Sequence, residues 1–156
     1  MSRPRHGRRG PVGLLARGVV AGVVGTAAMT ASSTIEAKLR GRPASTAPAR
    51  AAQKVLGIEE FSSERNQERF SNAVHWGYGT GWGVARAVFG AVGMAPVLAS
   101  AAHLTAMWGG ALAMLPALGV TPPATQWGRE EVAIDLFHHL VYESSTSLAY
   151  ELLDHR

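Results

Sequence analysis

Residues 87–128 contain no Asp, Glu, Lys or Arg, and the segments flanking them alternate between charge-dense stretches and stretches rich in Ala, Gly and Val. A helix crossing the ~30 Å hydrocarbon layer takes about 20 mostly apolar residues. The uncharged run therefore predicts one complete membrane helix over 96–118, preceded by the end of another. Extending the pattern predicts helices over 12–37, 70–92, 96–118 and 129–153. A basic arm, 1–11, comes first. A polar connector, 42–69, carries Pro43, Pro48 and Gly57 around a short amphipathic helix near 49–56. The expected fold class is all-α, a four-helix transmembrane bundle occupying 12–153.

Glycine is prominent in two of these helices. In water each interior Gly weakens a helix by about 1 kcal/mol relative to Ala. In lipid an unpaired backbone group costs several kcal/mol, so the segments stay helical and turn their glycines toward partners. Gly18, Gly22 and Gly25 in the first helix, and Gly77, Gly79, Gly81 and Gly83 in the second, are the expected helix-packing positions.

Bulk composition changes this picture little. A hydrophobic fraction of 47% and a mean hydropathy of +0.06 suit a soluble domain as well, and only the segregation of charge favours lipid. The chain has no Cys, which excludes disulfides and thiolate metal sites. Its net charge is +4, with Arg3, Arg5, Arg8 and Arg9 crowded ahead of the first apolar stretch. The arm has no aromatic residue on which bases might stack, so it reads as a membrane-flanking anchor and not as a nucleic-acid contact. No small-residue cleavage site follows it, so the first helix is expected to remain as an uncleaved span. Lys and Arg are nearly balanced between the two sides, and the density of the arm places the N-terminus in the cytoplasm.

The last helix carries the clearest chemistry. Glu131, Asp135, His139 and Glu143 recur on successive turns, with His138, Tyr142, Thr146 and Tyr150 nearby. At about 100° per residue these fall on one stripe, opposite Leu136, Phe137, Leu140 and Leu148. The stripe is expected to face the bundle and the apolar side to face lipid. His75-x-x-Tyr78 in the second helix echoes His139-x-x-Tyr142 in the last, and two helices that run the same way would set both pairs near one membrane face.

Three readings of these side chains stay open, one of them the passage of protons or ions along the stripe. His75 and His139 would be candidate ligands of a transition metal or haem; His103, on an antiparallel helix, belongs toward the opposite face. Alternatively His, Tyr and carboxylate only hydrogen-bond between helices, at about 0.6 kcal/mol each. Trp82 and Arg86, one turn apart, read as an interfacial anchor whose guanidinium snorkels past the ring, with pairing to Glu143 or to a lipid phosphate as the alternative.

At Gly22-Val-Val-Gly25-Thr, Gly41-Arg42-Pro43-Ala-Ser45, His75-Trp-Gly-Tyr78-Gly, His103 with Trp108-Gly-Gly, and His138-His139-Leu-Val-Tyr142, the chain resembles small bacterial four-span membrane proteins of the YagU-like inner-membrane class. The resemblance implies four helices and residence in the bacterial inner (cytoplasmic) membrane, and it supplies no reaction. The expected role is a non-enzymatic structural or accessory component, in contact with the lipid bilayer and with a second copy or another membrane protein. A haem- or metal-binding redox protein and a small proton or ion transporter are the competing classes. No nucleic-acid partner and no obligatory cofactor are expected.

Overall fold

The computed structural model describes residues 10–154. Most of the basic arm, including Arg3, Arg5, Arg8 and Arg9, lies outside the described residues. Helix α1 (Pro11–Leu39) opens with Pro at its first position, where the missing N–H is no loss. It closes at Gly41, whose φ of 63° lets the Arg42 N–H reach back to the Ala37 carbonyl at 3.0 Å. The short α2 (Ala47–Leu56) ends the same way at Gly57. Helix α3 (Glu64–Ala91) starts well before residue 70, because the Ser63 hydroxyl caps the Asn66 N–H at 3.3 Å and a charged first turn precedes the apolar part. Pro96–Ala117 forms α4, interrupted by a π-helical turn at Thr105–Gly109. Helix α5 (Arg129–Asp154) is the last described element. Among the described residues the protein is all-helical, without a strand.

Each of the two helices α1 and α4 lies against both α3 and α5, and α2 rests on α3. Cross-contacts fix the directions. Thr30 meets His75 and Gly18 meets Val84, so α1 and α3 are antiparallel. Arg17 meets Asp154 and Arg40 meets Glu131, so α1 and α5 are antiparallel as well. Tyr142 reaches Gly79 and Arg86 reaches Glu151, so α3 and α5 run the same way.

The α1–α3 contact is backbone on backbone. A Cβ built on Gly22 would lie 2.7 Å from the Thr80 carbonyl oxygen, and one on Gly83 would overlap the Gly22 Cα and the Gly18 carbonyl. Gly18 likewise meets the Val84 Cα, Gly79 meets Thr26, and Gly25 faces Tyr142 and Thr146 of α5. Gly77 and Gly81 differ from expectation: nothing lies within 4 Å of a Cβ at either. Two residues along a helix is about 200°, so Gly79 and Gly83 share the inner face and their alternates share the outer one.

Polarity is distributed opposite to that of a water-soluble helical domain. The largest fully buried side chains are Arg86, His103 and Thr146. Large apolar residues face outward, among them Val19, Val20, Val23 and Val24 of α1, and Phe137 (56% exposed), Leu140 and Leu148 (63%) of α5. By length and composition α1 and α4 can cross a membrane. Helices α3 and α5 are less apolar, α3 because Gly, His, Trp and Tyr and the charge of Arg86 fill much of it, and α5 because Asp135, Glu143 and two His are spaced along it.

Candidate functional site

On α5, Asp135, His139, Glu143, Ser147 and Glu151 follow one another at every fourth position. Glu143 and Ser147 are buried, while Asp135, His139 and Glu151 are half-buried. Their neighbours come from α3 and α4. The Arg86 guanidinium is fully enclosed: Nε donates to Ser147 Oγ at 2.7 Å, Nη2 to Glu151 Oε1 at 2.7 Å, and its centre sits 5.0 Å over the Tyr150 ring. Ser147 donates its own proton to Glu143 Oε1 at 2.5 Å and accepts from Ser100 of α4 at 2.9 Å. Glu151, Arg86, Ser147 and Glu143 are thereby linked as one continuous interior chain.

His103 continues it. Its Nε2 lies 3.0 Å from the Trp82 carbonyl oxygen, which only accepts, so Nε2 carries the proton. Nδ1 is then the free nitrogen, buried without a hydrogen-bond partner and 3.8 Å from Glu143 Oε1. His138 repeats this logic nearer the other end. Ser32 donates its hydroxyl proton to the Met29 carbonyl, so it accepts from His138 Nδ1–H at 2.9 Å. That leaves Nε2 buried, unpartnered, and 3.6 Å from Glu36 Oε2. In each case a fixed tautomer aims a bare imidazole nitrogen at a carboxylate.

The π turn explains how α4 supplies two groups to this seam. Five residues along an α-helix turn about 500°, which would set His103 and Trp108 some 140° apart. The wider turn at Thr105–Gly109 brings both to α5, where Trp108 Nε1 donates to Asp135 Oδ2 at 2.8 Å.

An ion-pair clasp closes one end of the helices. Glu36 holds Arg42, with Arg42 Nε at 3.0 Å, and Arg40 at 3.3 Å; Arg40 also reaches Glu131 at 2.5 Å and Glu130 at 3.5 Å. The Glu131 carboxylate, and after it Glu36, raise the Arg40 pKa above its ordinary value. Arg17 and Asp154, 3.1 Å apart, close the opposite end.

Several expected placements change. Of the predicted stripe, His138, Tyr142, Glu143, Thr146 and Tyr150 are buried, and Asp135 and His139 lie at its margin. The Tyr142 hydroxyl donates to the Gly79 carbonyl at 2.5 Å. Arg86 does not snorkel past Trp82 to an interface; Ser147 and Glu151 draw it inward, and Trp82 packs edge-on to Tyr78 and beside His103. His75 and His139 have separate partners, Thr30 Oγ1 at 2.8 Å for the first and the Asp135 carbonyl at 2.7 Å for the second. Among the described residues no three His, Asp or Glu converge as a metal site. His103 lies in the middle of the interior, not toward an opposite face. Glu36, Ser100, His103, Ser147 and Glu151 are the members that the sequence reading left out. The four-residue period that already joins Asp135, His139 and Glu143 extends to Ser147 and Glu151 and is the signal that finds the last two.

No protein family, characterised protein or solved structure matched the chain.

Proposed function

We propose that the chain is a four-span integral membrane protein, an antiparallel bundle of α1, α3, α4 and α5, acting as a non-enzymatic membrane component in a bacterial inner membrane. The observation that carries this reading is the reversed polarity, with Arg86, His103 and Glu143 inside and Val19, Val23, Phe137 and Leu148 outside. Water would favour the opposite arrangement, because each exposed Val, Leu or Phe forfeits about 1.5–3 kcal/mol of burial. Lipid removes that cost and penalises exposed charge instead. The charges of α3 and α5 do not oppose spanning when they are turned inward and paired.

In this arrangement the N-terminus, the α3–α4 turn and the C-terminus share one side, taken as cytoplasmic. The connector with α2 and the loop before α5 occupy the other. Membranes carrying the full chain should retain it through alkaline carbonate extraction. Reporter fusions at the N- and C-termini should both respond as cytoplasmic, and one placed in the connector as external. Release by carbonate, or termini on opposite sides, contradicts the four-span reading.

A further inference from the structure

The chain Asp135–His139–Glu143–Ser147–Glu151 extends about 24 Å along α5 at 1.5 Å per residue, close to the ~30 Å thickness of a hydrocarbon core. Neighbouring helices reinforce it at four of its five members, Trp108 at Asp135, His103 at Glu143, Ser100 and Arg86 at Ser147, and Arg86 again at Glu151. We propose that this column is a proton pathway, with His103 and Glu143 as its central proton-binding station. The inference rests on the membrane-spanning reading above.

Charge balance is the first argument. Among the described residues the charged and titratable groups around the station are Arg86 from α3, His103 from α4, and Tyr142, Glu143, Tyr150 and Glu151 from α5. At this level α1 contributes Gly18, Gly22 and Gly25, and its nearest charge, Arg17, is paired with Asp154. The Glu143 carboxylate is buried beside a neutral His103, and Arg86 reaches it through the Ser147 hydroxyl and not directly. A buried carboxylate without a cation in direct contact is costly where water is excluded, and one bound proton neutralises it.

Geometry says where that proton goes. His103 Nε2–H is committed to the Trp82 carbonyl, and the free Nδ1 faces Glu143. Protonation at Nδ1 forms an N–H directed at Glu143 Oε1. Release to the next acceptor restores the same neutral tautomer, so the ring returns to its starting state without rotating. A packing histidine has no need of an unpartnered buried nitrogen, which ordinarily costs about 1–3 kcal/mol. Arg86 Nη1, also buried without a partner, leaves a donor for water beside the station. Successive members are about 6 Å apart along the axis, a gap that water bridges.

From Glu143 the proton has two outlets toward the connector end, His139 with Asp135 on the same helix, and His138 with Glu36, where the arrangement of bare imidazole nitrogen and carboxylate recurs. At the opposite end Glu151 is partly open, with 27% of its side chain exposed. Only a proton moves between oxygen and nitrogen atoms, so no co-reactant is required.

The test uses the purified full chain in phosphatidylcholine–phosphatidylglycerol vesicles with a trapped pH dye and the membrane potential clamped. After an external acid pulse, vesicles with the wild-type protein should acidify several times faster than empty ones. Glu143→Gln should lose the added flux, Glu143→Asp should retain part of it, and Ser144→Ala on the outer face should leave it unchanged. Carbonate resistance and helical content are measured on the same vesicles. An inserted, folded wild-type protein that acidifies no faster than empty vesicles overturns the pathway, as does full flux in Glu143→Gln. Carbonate-extractable protein instead overturns the membrane reading, so the two failures are told apart.

Discussion

Arg86→Leu should lower stability by about 3–5 kcal/mol, the cost of removing one partner from a buried ion pair. The Arg86 side chain is fully buried and holds Ser147, Glu151 and the face of Tyr150 together. Leucine fills part of the volume but removes the guanidinium from Ser147, from the Glu151 carboxylate and from the Tyr150 ring. Arg86→Lys should recover only part of the loss, because one ammonium cannot reproduce donors directed at Ser147 and Glu151 at once. The double variant R86L/E151L should be less destabilised than the sum of its two single changes, because the two side chains are in direct contact. Thermal unfolding of detergent-purified variants measures each of these. An R86L midpoint equal to wild type would place the guanidinium elsewhere, at an interface where it contributes little.

Gly83→Leu should leave little folded protein, and Gly83→Ala should already be strongly destabilised. The new Cβ meets backbone atoms of Gly22 and Gly18, which cannot yield as a flexible side-chain tip can. Relief requires α1 and α3 to separate, which dismantles the largest helix contact. Gly81→Ala is the internal control. Its Cβ enters open space, and exchanging Gly for Ala inside a helix favours the helix by up to about 1 kcal/mol. Opposite signs at positions two apart are the expected result in thermal unfolding. Equal effects at 81 and 83 would refute the assignment of inner and outer faces.

Much of this architecture was legible in the sequence because two periods dominate. Charge segregation marked the long helices, and the 100° period placed Tyr142, Glu143, Thr146 and Tyr150 on the side of α5 away from Phe137 and Leu148. The α3 glycines were harder. Their two-residue alternation divides them between opposite faces, and the reading that all four pack ignored that 200° step. Arg86 was misplaced because proximity to a helix end suggested an exit to the interface, whereas its partners, Ser147 and Glu151, lie 61 and 65 residues away. His103 was misplaced by depth alone. Its meeting with Glu143 depends on the helix order α1–α3–α4–α5 around the core, which no local pattern encodes. Glu36, near the end of α1, bends back over His138, Arg40 and Arg42, and its contact with His138 brings together residues far apart in sequence.

The central claim is that apolar side chains of α5 face lipid while its ionisable column faces the interior. Because the chain contains no cysteine, a single spin label can be placed at any position without background. Labels at Phe137, Leu140 and Leu148 in lipid vesicles should collide freely with dissolved oxygen and scarcely with a water-soluble nickel chelate, and one at Thr146 should be shielded from both. Labels at 137, 140 and 148 that collide strongly with the chelate and weakly with oxygen would place that face in water and contradict the account.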